Sequence, residues 1–189
     1  MMLMPTLIRL PAVETPTLIL REIESRDLRG FARYMTRSDY QRYIATRLRN
    51  EAEVRGFVSR CILQQRSFSR KVFHVAAESK RTAIAIGDGF VIMSAGRQAE
   101  IGWGVAPQRW GKGLGTEIAR ALVALAVERL DAERVWCKVM APNRPSLRVA
   151  EKAGFSQSRT VAAYETGQGQ QVDVHVFELT RAGYFESPY

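Results

Sequence analysis

A glycine-rich turn near the middle of the chain has the residue types of an anion-binding site. Gly111, Gly113 and Gly115 fall within five residues, shortly after Pro107. Glycine lets a backbone N–H approach a phosphate without an intervening Cβ, and the N–H groups of a first helical turn have no partners in their own helix. The stretch therefore predicts a site for a phosphorylated ligand. The alternative is a turn that only connects two elements.

The spacing of these glycines excludes two common nucleotide sites. A P-loop requires a glycine five residues before the Gly111-Lys112 pair, and that position is Ala106. The dinucleotide pattern G-x-G-x-x-G is also absent, because Gly111, Gly113 and Gly115 are spaced two and two. The phosphorylated ligand must therefore be of another kind.

Glu100 is the carboxylate best placed for acid–base chemistry. It shares one face of a predicted strand with Gly102 and Gly104, and we expect these glycines to leave room for a substrate. Partial burial raises the pKa of a carboxylate, which suits a general base that acts either directly or through water. The alternative is a surface glutamate that forms an ion pair.

Two elements must position these residues. Ile101, Trp103 and Val105 alternate with glycines, which predicts a strand that ends at Pro107. Apolar residues then recur at a spacing of three and four from 114 to 130, which predicts a helix that begins at the glycine turn.

A second strand and helix follow. The apolar run Arg134–Met140 predicts a buried strand parallel to the first, and ligands of α/β folds bind where the carboxyl ends of parallel strands diverge. The next helix is expected to begin near Pro145 and to stop at Gly154. Asn143 stands just before this helix, where its side chain can cap it.

Three motifs on these elements resemble those of the GNAT superfamily of N-acetyltransferases. Residues 108–113 read Gln-x-x-Gly-x-Gly, which is similar to the first GNAT motif, and residues 143–155 begin with Asn-x-x-Ser and end with Glu-Lys-x-Gly-Phe, which is similar to the second. The N-terminal pattern resembles the branch that contains the ribosomal-protein N-terminal alanine and serine acetyltransferases. Its residues are Thr15, Leu18, Leu20, Arg21 and Asp27.

The resemblance implies transfer of an acetyl group from acetyl-coenzyme A to a primary amine, by direct attack on the thioester and without a metal. The acceptor would be a protein N-terminal amine or a small-molecule amine. The turn amides would hold the pyrophosphate, and the preceding strand would pair with the pantetheine arm. The implied cofactor-binding residues are Trp103, Val105, Gln108, Arg109, Gly111, Lys112, Gly113, Leu114, Gly115, Thr116 and Asn143. Asn143 can cap its helix and contact the cofactor at once.

Acetyl transfer also needs an oxyanion donor and a route for the leaving thiolate. The resemblance assigns the donor to a backbone N–H near Val105. Many family members carry a tyrosine at the position of Ala150, so protonation by that tyrosine is excluded here. Ser146 is the nearest alternative, and a thiol with a pKa of about 8.5 can also leave unaided. Tyr164 and His175 are further candidates.

The remaining patterns complete one domain of α/β (α+β) class. Strands are expected over 17–23, 71–78, 83–94, 155–161 and 172–179, with a loop at 167–169 in the last hairpin, and helices over 50–66 and from an N-cap at Ser25 to 35. Gly87-Asp88-Gly89 is expected to form a bulge or bend. We predict a single GNAT-like domain over 1–189, with a mixed, mostly antiparallel sheet splayed at two parallel strands, flanking helices and an extended segment over 1–14.

Charge and composition leave two further classes of function open. The net charge is +9, from 28 Lys and Arg against 19 Asp and Glu. The arginines are dispersed without interleaved aromatics, which favours a solvated basic surface, with ribosome or RNA association as the alternative. A non-catalytic acyl-coenzyme A sensor is the other alternative, and the absent tyrosine would fit it.

The cysteines and the N terminus predict a cytoplasmic protein with no membrane partner. Cys61 and Cys137, with only two histidines in the chain, lack the spacing of a metal site and are expected to be reduced. The first residues are apolar but interrupted by Pro5, Arg9 and Pro11, too short and broken for a signal peptide or a span. Monomer and homodimer are both compatible with this sequence.

Overall fold

The computed structural model describes residues 9–44, 47–165 and 169–186. The strands of this part of the chain form a single sheet. They are β1 (Val13–Glu14), β2 (Leu18–Glu22), β3 (Val72–Ser79), β4 (Ala85–Ser94), β5 (Gln98–Val105), β6 (Arg134–Met140), β7 (Ser156–Glu165) and β8 (Gln171–Thr180). Their spatial order is β1-β2-β3-β4-β5-β6-β8-β7.

Six α-helices lie between or after these strands in the described residues. They are α1 (Leu28–Ala32), α2 (Ser38–Gln41), α3 (Glu51–Gln64), α4 (Leu114–Ala124), α5 (Arg144–Lys152) and α6 (Arg181–Glu186). A turn of 3₁₀ helix at Ser25–Asp27 precedes α1, another at Pro107–Arg109 follows β5, and a π-helical turn at Leu125–Arg129 extends α4.

The sheet is mixed, and β5 and β6 are its parallel neighbours. Every other adjacent pair of described strands is antiparallel. The predicted fold class is therefore confirmed: one α/β domain with a mostly antiparallel sheet that contains one parallel pair.

Helices cover the two faces of the sheet and divide the core. On one face, which we call the α4 face, Ile118 and Leu122 of α4 are buried in the larger cluster. On the other, which we call the α3 face, Val54 of α3 packs in a smaller cluster with Phe31 and Tyr34. Full burial of such a side chain stabilises the fold by about 1.5–3 kcal/mol.

The helix predicted to start at a Ser25 cap differs in its start and its length. The residue before the first turn is Glu24, whose N–H donates to Oδ2 of Asp27 at 2.8 Å. Ser25 lies inside a 3₁₀ turn, and α1 ends at Ala32 instead of continuing to Met35. The predicted cap is wrong, because Glu24 occupies the N-cap position and the Asp27 side chain bonds back to its N–H.

The predicted bulge at Gly87-Asp88-Gly89 lies one residue earlier. These three residues pair regularly with both neighbouring strands, and Ile86 of β4 is the extra residue between the pairs Ala85–Glu78 and Gly87–Ala77. A Cβ at Gly87 would lie 2.8 Å from Cδ1 of Ile118, and one at Gly89 would lie 2.8 Å from Cδ1 of Leu122. These glycines thus allow α4 to approach the sheet.

Glu117, in the first turn of α4, accepts hydrogen bonds from the segment that leads into β2. Its Oε1 accepts hydrogen bonds from the Thr15 hydroxyl at 2.5 Å and from the Thr17 N–H at 2.7 Å. Its Oε2 accepts from the Thr17 hydroxyl at 2.7 Å. Of the predicted extended segment 1–14, residues 1–8 lie outside the described part, and Val13 pairs with Leu20 in the sheet.

The last hairpin projects from the domain, and β7 forms the edge of the sheet. Every residue of β7 is exposed, and its pairing with β8 shifts register between Gln157 and Arg159 and again between Val161 and Tyr164. The predicted loop at 167–169 lies largely outside the described residues.

Candidate active site

The parallel strands separate after a short pairing. β5 and β6 are paired over three residues of each strand, ending at Glu100 and Trp136. Beyond that point β5 continues to Val105 and β6 to Met140, with no pairing recorded between these described segments. A cleft of about 940 Å³ lies along the separation, lined by α4 and α5 on one side and by α3 on the other. The predicted splay is confirmed.

The diverging part of β5 directs backbone groups into this cleft. Ala106 donates its N–H to the Ile86 carbonyl oxygen of the β4 side at 2.9 Å. Backbone groups alternate in direction along a strand, so those of Trp103 and Val105 point away from β4. Nε1 of Trp110 donates to the Val105 carbonyl oxygen at 2.7 Å. The N–H of Val105 therefore faces the space between the strands.

The turn glycines serve two different purposes. φ is +75° at Gly111 and +77° at Gly113, the N-cap residue of α4. A Cβ at either would meet no atom within 4 Å, so the backbone angle favours glycine there. At Gly115 a Cβ would lie 3.1 Å from Cγ2 of Val149, so this glycine allows close packing of α4 and α5.

The turn also presents a run of free donors. For residues 111–116, all of which the structure describes, no hydrogen-bond acceptor is recorded for the backbone N–H groups. The helix dipole is positive at this end of α4. Among the described residues, five cations line the same cleft, and Arg109, Arg148 and Lys152 are the three that belong to the turn region and α5. Free amides, a helix N terminus and nearby cations together suit a polyphosphate.

The structure brings nearly all of the predicted site residues together. All but two line the cleft: Glu100, Trp103, Val105, Arg109, Gly111, Gly113, Leu114, Gly115, Thr116, Asn143 and Ser146. Gln108 and Lys112 are exposed and lie outside the lining.

Glu100 lies at the point where β5 and β6 separate. Its side chain is 25% exposed, and its Oε1 lies 3.8 Å from Nζ of Lys138. Burial raises the pKa of Glu100, while the positive charge of Lys138 lowers it. Glu100 thus lines the cleft and also forms a long ion pair with Lys138. Its role as a general base stays a prediction.

Asn143 and Ser146 lie where β6 leads into α5. Oδ1 of Asn143 accepts a hydrogen bond from the Ser146 N–H at 3.3 Å, so Asn143 does cap the helix. Both residues line the cleft as well. Ala150 is fully buried in the core, so no side chain reaches the cleft from that position.

The space beside Gly102 and Gly104 is occupied by the protein itself. A Cβ at Gly102 would collide with the ring of Phe90, and one at Gly104 would collide with the hydroxyl of Tyr40. The expectation that these glycines leave room for a substrate is therefore wrong. They make room for two aromatic side chains that form a wall of the cleft on the α3 face.

A carboxylate that the sequence did not reveal lies on the same wall. Asp88 lies on β4 opposite Gly104 and lines the cleft. Its Oδ1 accepts hydrogen bonds from the hydroxyls of Tyr40 at 2.6 Å and Tyr34 at 3.0 Å. Burial raises the pKa of Asp88, and the two hydroxyl donors lower it. The one sequence signal was an aspartate between two glycines, which we interpreted as a bend.

Aromatic rings continue this wall. The Phe57 and His74 rings meet edge to face with centroids 5.3 Å apart, and His74 and Phe90 do so at 6.0 Å. Burial, with the charges of Arg70 and Arg60, lowers the pKa of His74 to about 4. The His74 ring is therefore uncharged at neutral pH, and Arg60 of α3 lines the cleft on the same side.

Tyr164 and His175 are placed differently. Tyr164 lines the cleft, with its ring centroid 5.9 Å from Nζ of Lys138. His175 lies outside the lining, and its Nδ1 is 2.9 Å from the Thr160 hydroxyl oxygen on β7.

Metal-binding and membrane-spanning features are absent from the described part of the chain. No cluster of three or more His, Cys, Asp or Glu side chains there could hold a metal ion. None of its helices has the length and apolar character needed to cross a bilayer. Cys61 and Cys137 are buried and free, and burial raises the pKa of each thiol to about 12.

Comparison with known proteins relates both the sequence and the fold to acetyltransferases. Residues 17–156 match the model of a family described as an acetyltransferase (GNAT) domain. The uncharacterized N-acetyltransferase p20 of Bacillus licheniformis is 25% identical over 173 residues, which cover 90% of this chain and 96% of that protein.

Two solved structures share the fold. The ribosomal-protein-S5-alanine acetyltransferase of Vibrio fischeri superposes with a TM-score of 0.78 and 14% identity, covering 90% of this chain and 97% of that one. The microcin C7 self-immunity acetyltransferase MccE, in complex with acetyl-CoA and AMP, gives a TM-score of 0.78 and 16% identity over 88% and 93% of the two chains. At these identities the likeness is one of fold.

Proposed function

The chain belongs to the GNAT family of acetyltransferases, and from that premise we propose that it transfers the acetyl group of acetyl-coenzyme A to a primary amine in the β5/β6 cleft. The family confirms the predicted enzyme class, an N-acetyltransferase. The observation that carries the proposal is the run of free amides at 111–116, which opens onto a cleft between diverging parallel strands.

The α4 side of the cleft binds the cofactor. The amides of 111–116 hold the pyrophosphate, and the charges of Arg109, Arg148 and Lys152 balance the phosphates. The pantetheine arm lies between β5 and β6 and bonds to the backbone of Trp103.

The reaction needs a donor for the oxyanion and an acceptor for a proton. The amine nitrogen attacks the thioester carbonyl carbon while the Val105 N–H donates to the developing oxyanion. The attacking amine loses a proton to Glu100 through water, and the carbon–sulfur bond breaks. Coenzyme A leaves as a thiolate, and we assign Ser146 as the side chain that protonates its sulfur.

The acceptor is a primary amine, either a protein N terminus or a small molecule. The cleft is lined by aromatic and aliphatic side chains on the α3 face, with Asp88 and Glu100 among them. Such walls favour an acceptor whose amine is attached to an apolar group.

Two measurements test this proposal. Calorimetry should detect binding of coenzyme A, and release of free thiol from acetyl-coenzyme A should depend on an added amine. Failure of coenzyme A to bind overturns the proposal. Tight binding without turnover across peptides and small amines would support the sensor instead, and RNA affinity that falls steeply with salt would support nucleic-acid association.

A further inference from the structure

The buried and half-buried carboxylates Asp27, Glu78, Glu22 and Glu100 are each paired with an arginine or a lysine, and Asp88 in the cleft has no such pair among the described residues. Asp27 is paired with Arg21 at 2.7 Å, and Glu78 is paired with the same guanidinium at 2.5 Å. Glu22 forms an ion pair with Arg70. A carboxylate withdrawn from water requires such compensation, because desolvation of its charge costs several kcal/mol, on the order of the folding free energy itself.

Asp88 has no such balance. No ion pair to Asp88 is recorded among the described residues, and the influences on its pKa are burial and the hydroxyls of Tyr34 and Tyr40. Both hydroxyls bond to Oδ1. Each fully buried side-chain oxygen or nitrogen of the described residues has a partner, and none is recorded for Oδ2. Oδ2 is therefore the oxygen that the cleft can reach.

The position of Asp88 relates it to the reacting centre. It lies opposite Gly104, the residue before Val105, whose N–H faces the space between the strands. Glu100 is four residues away, about 13 Å along β5. Asp88 is therefore the carboxylate nearer to the backbone donor that we assign to the oxyanion. The neighbouring wall holds the aromatic rings of Phe57, His74 and Phe90, and Arg60, which also lines the cleft, forms no recorded ion pair with Asp88.

We propose that Oδ2 of Asp88 binds the ammonium group of the acceptor, and that the acceptor is a primary ammonium carried on an apolar or aromatic group. This inference rests on the proposed function, because that function identifies the bound ammonium as the acceptor of the acetyl group. The ligand supplies the positive charge that the protein does not, and Tyr34 and Tyr40 hold the carboxylate in place. A neutral or anionic molecule of the same shape lacks this interaction.

The test compares a cation with its neutral analogue. With coenzyme A present at pH 7, titration calorimetry measures the affinities of 2-phenylethylammonium and 2-phenylethanol. The wild type should bind the ammonium at least about tenfold more tightly than the alcohol. Asp88→Asn removes the charge but keeps an oxygen for both tyrosines, and it should abolish the preference. Asp39→Asn, at an exposed ion pair with Arg37, is the matched control and should retain it.

Two outcomes overturn the proposal: no preference for the ammonium in the wild type, or the same preference in Asp88→Asn. If thermal unfolding shows that Asp88→Asn is not folded, Asp88→Ser replaces it, because its hydroxyl also accepts hydrogen bonds and carries no charge.

Thiol release separates this inference from the proposed function. Turnover of 2-phenylethylamine with the same KM in the wild type and in Asp88→Asn would retain the enzyme assignment and overturn the role of Asp88. An Asp88-dependent preference for the cation without turnover of any amine would retain the cation site and overturn the proposed function. When both hold, KM for the amine rises about tenfold or more in Asp88→Asn while the coenzyme A affinity is unchanged.

Discussion

The α4 face and the α3 face of the cleft are built in different ways. On the α4 face, one continuous stretch from Trp103 to Thr116 supplies the open strand, the turn and the helix start, and its donors are backbone groups. On the α3 face, the walls are side chains such as Tyr40, Phe57 and Asp88, which come from separate elements. The backbone site restricts the residue types of one continuous stretch of the sequence. The side-chain wall depends on residues that only the fold brings together.

This difference separates the roles of the two faces. A backbone site binds what all members of a family share, because the amides do not depend on which side chains are present. A side-chain wall can change with each substitution. We therefore expect cofactor affinity and acceptor preference to respond to different mutations.

Glu100 lies on the same face of β5 as Gly102 and Gly104, which is the α3 face, and it should give the largest effect. Glu100→Gln removes the proton acceptor, so kcat should fall by about 10²–10³-fold while the affinity for coenzyme A stays unchanged. Steady-state thiol release and calorimetry measure the two quantities. Glu133→Gln, at an exposed ion pair with Arg97, is the control. Unchanged kcat in Glu100→Gln would show that another group takes the proton.

Gly113→Val tests the backbone site. A β-branched residue disfavours the φ of +77° at this position, so the amides should lose their alignment and coenzyme A affinity should fall about 10- to 100-fold. Gly96→Val is matched to it, because Gly96 has a φ of +72° and lies outside the cleft lining. Calorimetry that finds equal losses in both variants would attribute the effect to general strain.

His74→Phe tests the aromatic wall through the pH dependence of stability. Burial lowers the pKa of His74 to about 4, so its contribution to stability is present above its unfolded pKa, about 6.5, and is lost as the pH falls through 4. Between these pH values the wild type should lose on the order of 2 kcal/mol more unfolding free energy than His74→Phe.

Urea denaturation across that pH range measures this difference. Parallel curves for the wild type and His74→Phe would show that His74 is not the group responsible.

Glu117→Gln should give the smallest effect and tests whether the α4 face depends on side chains. Loss of the charged acceptor for Thr15 and Thr17 should lower the unfolding free energy by about 1 kcal/mol, with coenzyme A affinity changed less than about twofold. Glu51→Gln, at an exposed pair on α3, is the control for denaturation. A large loss of coenzyme A affinity would show that this contact supports the amides.

The same contrast explains how much the sequence could predict. The strand before Pro107, the glycine turn and α4 were predictable because alternation, positive φ and helical spacing are local properties. The parallel partner Arg134–Met140 followed from its position in the chain. The motif residues could be identified because motifs are also local in sequence. The sequence did not show that Gln108 and Lys112 lie outside the cleft lining.

What the sequence missed depends on distant packing. Asp88 meets Tyr34 and Tyr40 across separations of 54 and 48 residues, and no spacing rule joins such positions. The glycine pairs on β4 and β5 were misinterpreted because their purpose, close approach by Leu122 or Phe90, exists only in the folded state. The cap at Ser25 was misassigned because Glu24 is the N-cap residue, and its N–H bonds to Asp27, which Arg21 also holds.

The two register shifts of β7 have a consequence for self-association. They divide its ladder with β8 into paired runs of two, three and two residues, and Arg159 and Glu165 add charge to this outermost strand. Bulges and charges of this kind keep an incoming strand from forming consecutive main-chain bonds. The exposed edge strand β7 is thus a poor template for cross-β aggregation, despite its length.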